Sequence, residues 1–495
     1  MCREFDEEIE SGIGQVRRSM ADEAKLLMDN PSSEETSLRY MLKLAWPMVV
    51  TNISFTIMQF VDTRMVAELG TAELAAILPA TIMSFIPSSF ALGVMSSVNT
   101  FVSQCLGRGK KSECSNYCWQ VTYMGLVYAF IVLSVVWPLA PAIFRAMGHP
   151  SEIIEMEVIY LRIMLYCQFV VVFIWGCNQF FMGIHRPIIT MYSSLAGQIV
   201  NVCANYLLIF GKMGFPKMGI AGAAWGTFIG LIAGAAIQMF VYLGRDINNT
   251  YHSRRGWRID FGKMLDIVKV GFPAGFGLMI NIAFWTVILF GLVGRFGKAP
   301  LAATSAVWSC MRISFMPIVG VGTALTAAVG KSIGKGRKDL AVEQTNVCIR
   351  IGLVYMGFVG LCFFVFRERI MLFWSPSDPE VVQAGVNILV CAAIFQIFDA
   401  ILIVYGDALQ GAGDTLWVAI IQASGAVLIL GVGGICIVKM LPELGAMGPW
   451  IAGTIKIIVV AFANRWRFKS NRWMEIDLFK RRAVSVPAEV EVVMD

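Results

Sequence analysis

The chain is short of charge. Only 15% of its 495 residues are Asp, Glu, Lys or Arg, where a soluble domain carries roughly a quarter. Set against 57% hydrophobic residues, that shortage excludes disorder and leaves too little polar surface for a soluble fold. Histidine is scarcer still. His149, His185 and His252 all fall between the apolar stretches, so no zinc-protease pattern forms within them. The 12 cysteines are scattered, mostly inside apolar runs (Cys167, Cys177, Cys203, Cys391). Cys114 and Cys118 have no second pair or histidine cluster to complete a metal site, so the cysteines read as packing residues in a reducing compartment. A phosphate-binding loop is missing too: Ala328-Val329-Gly330-Lys331-Ser332 ends like one, but the required first glycine is Leu325. The net charge of +6 does not make a nucleic-acid surface, because the bases cluster in short loops.

What the chain has is length of apolar run. Twelve runs near the twenty or so residues that cross a bilayer lie at 44–67, 77–105, 117–139, 158–182, 188–210, 219–243, 268–293, 302–330, 343–366, 382–405, 415–438 and 447–464. Strand edges would stay unsatisfied in lipid, so the expected fold class is an all-α polytopic membrane protein with twelve transmembrane helices. An even number puts both tails on one side. The short loops on that side carry Arg108, Lys110, Lys111, Arg186, Arg245, Arg254, Lys335 and Arg337 among others and outweigh the opposite loops in bases, which predicts cytoplasmic termini in the plasma (bacterial inner) membrane. Trp137, Trp374 and Trp450 then fall at the outer interface, and Trp46, Trp119 and Trp466 at the inner one. Residues 1–36 hold ten acids and four bases with no apolar core. They are a polar tail rather than a signal peptide, with a short helix expected over 16–28.

The chain is also a doubled unit. Leu69-Gly70-Thr71-Ala72-Glu73-Leu74-Ala75-Ala76 matches Phe296-Gly297-Lys298-Ala299-Pro300-Leu301-Ala302-Ala303, and Leu106-Gly107-Arg108-Gly109-Lys110-Lys111 matches Ile333-Gly334-Lys335-Gly336-Arg337-Lys338, both at the same offset. Each unit spans six helices, so the repeats are parallel and enter the membrane from one side. The expected organisation is a tail (1–40), an amino lobe (41–243), a basic cytoplasmic linker (244–267), a carboxy lobe (268–465) and a second tail (466–495). Two six-helix lobes across a cleft suit alternating access, which favours a transporter over a doubled structural protein.

Ionisable groups inside a bilayer are costly and mark function by default. The deep ones are Asp62, Arg312, Asp399 and Lys456. Asp62 has oxygens suited to a sodium ion or a proton; its bland alternative is a helix-end acid beside Arg64. Asn201 and Asn205, one turn apart, and Thr227 would complete an oxygen-rich cation site with it if the first, fifth and sixth spans meet. Singly, each is an interhelical hydrogen bond. Asp399 is either a second coupling acid or one half of an ion pair with Arg312 or Lys456. Arg162 and Arg350 read as snorkelling near span ends.

Together, Val61-Asp62-Thr63 through Leu69-Gly70, the paired Gly-x-Gly loops, Asn201-xxx-Asn205, Gly222-Ala223-Ala224 through Thr227, and Leu409-Gln410-Gly411-Ala412-Gly413-Asp414-Thr415 resemble the multidrug and toxin extrusion transporters over about 40–465. The resemblance implies two pseudo-symmetric six-helix bundles and antiport of amphipathic organic cations against Na+ or H+, with no other cofactor, no nucleotide and no nucleic acid. A monomer in the bilayer is expected. It matches Asp62 to the amino-lobe acid, Asn201 and Thr227 to its partners, and Asp399 to the carboxy-lobe acid. Asn205 stands where some members have an aspartate, Asn281 where some have a glutamate, and Phe395 where some have a tyrosine. With Arg312 and Lys456, those departures keep open a flippase or exporter of an anionic or lipid-linked substrate. An intramembrane enzyme would need a nucleophile or metal constellation that the chain does not offer.

Overall fold

The computed structural model describes residues 35, 37–147, 149–376 and 378–479; the helix expected over 16–28 lies outside them. All secondary structure among the described residues is helical. Twelve helices are long and apolar enough to cross a membrane: α1 Leu38–Ala67, α2 Thr71–Gly107, α3 Lys111–Ala146, α4 Ser151–Gly183, α5 Pro187–Phe210 and α6 Ile220–Tyr242, then α7 Phe261–Phe296, α8 Lys298–Gly334, α9 Lys338–Val365, α10 Pro379–Ala412, α11 Thr415–Met440 and α12 Met447–Lys469. Each covers one apolar run of the sequence. Two are interrupted by π-helical segments, Phe284–Leu289 in α7 and Gly425–Gly433 in α11.

At the start of α7 a cap explains why the boundary differs from the hydropathy reading. The Asp260 side chain accepts from the Lys263 amide at 3.0 Å, starting α7 two turns before its apolar run. The ring of Tyr117 lies 5.5 Å from the Lys263 ammonium. The segment between α6 and α7 is thus 243–260, and it is docked. α3 holds it: Ser115 Oγ donates to Tyr251 O (2.8 Å), Trp119 Nε1 to Ser253 O (2.8 Å) and Gln120 Nε2 to Arg258 O (2.9 Å). Trp450 is a correction of a second kind. It has no lipid-facing surface but is fully buried, with Nε1 donating to Thr304 Oγ1 at 3.1 Å. Span-end position alone does not tell an interfacial indole from a core one.

The lobes join from mid-bundle to the face that carries the termini. Asn52 Nδ2 donates to Met316 O (3.3 Å) near the middle of α1 and α8. Closer to that face, Asn99 donates to Thr323 O, Thr100 to Gln410 O and Gln104 to Gly411 O. At the end, the α2 and α8 backbones touch. A Cβ on Gly334 would lie 2.3 Å from Gln104 O, and one on Gly107 would lie 2.2 Å from Lys331 O.

Two acidic residues, through three ion pairs, strap this face across the lobes. Ahead of α1, Glu35 reaches Lys331 and Lys335 of α8 at 3.0 and 2.9 Å. After α12, Asp477 reaches Arg108 beyond α2 at 2.8 Å. Arg108 and Lys335 are the same position in the two repeats. Burial pushes the Glu35 carboxyl up, but the Lys331 and Lys335 ammoniums overcome it and hold the group below its usual value. That strap is thus complete above the usual carboxyl range and is lost as pH falls below it.

Candidate functional site

In the amino lobe, α5 and α6 approach closely because glycine faces each asparagine. A Cβ on Gly226 would lie 1.9 Å from Asn205 Oδ1, and one on Gly230 2.5 Å from Asn201 Cβ. Small residues at such a seam let two backbones meet where lipid offers no hydrophobic drive. Proline at the first position of α5 and the left-handed Gly211 at its end fix the helix that carries both asparagines.

The four residues singled out in this lobe form one chain of side chains. Asn205 Nδ2 donates to Asp62 Oδ1 at 2.7 Å and to Asn201 Oδ1 at 3.4 Å. Asn201 Nδ2 lies 3.4 Å from Thr227 Oγ1, whose hydroxyl donates to Ala223 O at 3.0 Å. Both asparagines are buried and Asp62 is half-buried. Asn205 Oδ1 is buried with no hydrogen-bond partner. The cluster thus presents a carboxylate, two amides and a hydroxyl within one three-helix junction, and turning the Asn205 amide would bring its oxygen to Asp62. Four oxygens of that kind suit a proton or a small hard cation.

The carboxy lobe is built differently. At the positions that the repeat pairs with Asp62, Asn201 and Asn205 it has Leu289, Leu428 and Val432. Its polar centre lies on α12: the Lys456 ammonium, 2% exposed, donates to Asn281 Oδ1 at 2.8 Å and Gln422 Oε1 at 3.0 Å. Gln422 is a member that the sequence reading missed. Of the two readings of Asp399, the ion pair is not made. Among the described residues neither Asp399–Lys456 nor Asp399–Arg312 comes within the 4.0 Å of a salt bridge. Arg312 lies near the middle of α8 with its side chain exposed. It sits one turn before Met316, whose carbonyl meets Asn52 of the other lobe, so its helix position faces the inter-lobe side. Phe395 is buried and stacks on Trp450 with centroids 6.5 Å apart. Arg162, eleven residues into α4, lies over the Trp137 ring at 4.9 Å; a cation–π contact holds it.

Asp407 was passed over because its apolar run ends at 405, whereas α10 continues to Ala412. A Cβ on Gly322 would fall 1.8 Å from its Oδ2, and the carboxylate has no hydrogen bond or ion pair among the described residues. The side chain is half-buried, and an unpaired charge held partly away from water is costly. Asp407→Asn is therefore expected to raise stability by about 1–3 kcal/mol, read as a higher thermal midpoint in detergent; a lower midpoint would reveal a partner for the carboxylate.

The doubled architecture has counterparts. The MatE family model matches residues 47–207 and again 273–433, one match per lobe and together well over half of the chain. The chain belongs to the MatE family. It is a multi-pass membrane transporter rather than an enzyme. Among MatE relatives, the probable multidrug resistance protein NorM of Mesorhizobium japonicum is 27% identical over 443 residues, covering 87% of this chain and 93% of the relative. NorM of Brucella suis is 26% identical over 448 residues, covering 86% and 92%. Among solved structures, a transporter from Pyrococcus furiosus described as having a binding pocket of reverse polarity superposes with a TM-score of 0.81 at 19% identity, covering 90% of this chain and all of that one. The eukaryotic MATE transporter AtDTX14 gives 0.79 at 18% identity, covering 90% and 98%. These structural likenesses establish the MatE fold of the chain.

Proposed function

We propose that this MatE protein is a secondary antiporter that exports amphipathic organic cations in exchange for Na+ or H+, with Asp62, Asn201, Asn205 and Thr227 as the coupling site. The observation that carries this reading is the convergence of Asp62 Oδ1 on the Asn205 amide at 2.7 Å, inside a junction of α1, α5 and α6. The relatives' description as multidrug resistance proteins supports a range of small organic substrates. The excess of bases in the loops on the side of the termini supports cytoplasmic termini in a plasma membrane, and on that reading the joined face is the cytoplasmic one. Ion and substrate must prefer opposite lobe arrangements, because a ligand shifts an equilibrium only by its differential affinity. One monomer contains both lobes and so the whole cycle.

The test is efflux of a fluorescent organic cation from proteoliposomes under an imposed sodium or proton gradient. Wild type is expected to respond to one of the gradients, and Asp62→Asn to lose at least nine-tenths of that response. Export indifferent to both gradients would refute coupling. A second reading, export of an anionic or lipid-linked substrate, is favoured by Arg312, exposed and without an acidic partner among the described residues. A fluorescent organic anion run in parallel decides between the two.

A further inference from the structure

We propose that the Lys456 ammonium is a tethered cation: it permanently fills a cation-binding site in the carboxy lobe built from Asn281, Gln422 and Trp285. The inference rests on the coupled-antiporter reading and extends it, because a lobe filled by its own lysine leaves the Asp62 cluster as the place where the coupling ion is exchanged.

Four observations meet at this nitrogen. Its two hydrogen bonds, 2.8 Å to Asn281 Oδ1 and 3.0 Å to Gln422 Oε1, go to neutral amide oxygens on two different helices, the kind of ligand a bare monovalent cation would take. The Trp285 ring lies 5.9 Å away, within cation–π range. Asp399, on the adjoining helix α10, stays beyond the 4.0 Å of a salt bridge, so the ammonium is held by neutral acceptors rather than by one ion pair. Finally, Asn281 and Gln422 each stand three residues ahead of a π-helical segment, Phe284–Leu289 and Gly425–Gly433. Such bulges turn side chains toward functional sites. Gly425 opens the second one, where a Cβ would meet the Lys456 stem at 3.5 Å and Val460 at 2.9 Å. Helices on two sides, α7 and α11, are thus shaped around this lysine. A purely structural lysine would be expected to close on Asp399, because a buried charge seeks its counter-charge.

The test uses ethylammonium, which matches the end of the lysine chain, as a replacement head group. Lys456→Ala is expected to lose gradient-driven export at least tenfold. Millimolar ethylammonium should restore part of that export and raise the variant's thermal midpoint, with no effect on wild type. Lys456→Ala/Asn281→Leu, short of one oxygen ligand, should gain neither. Lys456→Met keeps the stem and guards against misfolding of the alanine variant; it is expected to fold and to export poorly. Wild-type export by Lys456→Met, or a midpoint of Lys456→Ala indifferent to ethylammonium, overturns the proposal. If wild type shows no gradient-driven export, the antiporter reading fails, while the ethylammonium-dependent midpoint still decides whether this is a cation site.

Discussion

Gly334→Val is expected to cut steady-state export at least tenfold without unfolding either lobe. In the observed arrangement a side-chain carbon at position 334 would stand 2.3 Å from Gln104 O and 2.9 Å from the Gly107 Cα. Both are backbone atoms of the other lobe, so no rotamer relieves the clash and α2 and α8 must part. Overpacking of this kind costs about 1–3 kcal/mol. Here the cost falls only on the state in which the terminal face is joined, and about 2.7 kcal/mol displaces such an equilibrium roughly a hundredfold. A cysteine placed at Ser103, which faces Gly330 across the same seam, should then label faster from the terminal side, read on its peptide by mass spectrometry. Gly291→Ala, where an added carbon meets nothing within 4 Å, serves as the control and should leave export unchanged. Wild-type export and labelling in Gly334→Val would mean that the seam is not part of the cycle.

Gly226→Ala is expected to abolish the gradient response as thoroughly as Asp62→Asn does, although position 226 has no chemistry of its own. The added methyl would sit 1.9 Å from Asn205 Oδ1. The severe clash is with a side-chain atom, and the Asn205 backbone nitrogen at 2.9 Å asks only a small shift of α5, so the bundle can keep its fold while Asn205 swings out and its 2.7 Å bond to Asp62 is lost. A hydrogen bond to a charged group contributes about 1.5–3 kcal/mol, and the thermal midpoint should fall accordingly. The contrast is Gly230→Ala. Its new carbon would meet Gly197 O at 2.7 Å as well as Asn201 Cβ, so it should damage folding first. A Gly226→Ala protein that still answers the gradient would separate the Asn205 contact from coupling.

These two glycines show where reading the sequence stops. Hydropathy placed all twelve helices, because an apolar run of that length has one stable form in lipid. The offset between the Gly-x-Gly loops gave the parallel repeat, since a repeated motif needs no tertiary information. The Asp62 cluster was also foreseeable as a set, with Asn201 and Asn205 one turn apart on one helix face and Asp62 costly wherever it lay. Nothing in the chain says that Gly226 is the reason those side chains fit, because glycine is common throughout this protein and its meaning lies in what stands opposite.

The carboxy lobe was read less well for the same reason. Charge and depth left Asp399 either a coupling acid or paired with Arg312 or Lys456. Instead Lys456 bonds two amides, one of them Gln422, which is unremarkable in sequence. Arg312 lies exposed, and Asp407 is carried inside by a helix that outlasts its own apolar run. What the sequence alone determined is which segments enter the membrane, that they form two like halves, and which costly groups go with them; hydrophobicity and repetition are local properties, written residue by residue. Which helices become neighbours, which amide meets which charge, and which face of the bundle is shut were decided by tertiary packing alone. In a membrane every helix flank is acceptable to lipid, so only the fit of small residues and hydrogen bonds between distant segments selects the partner.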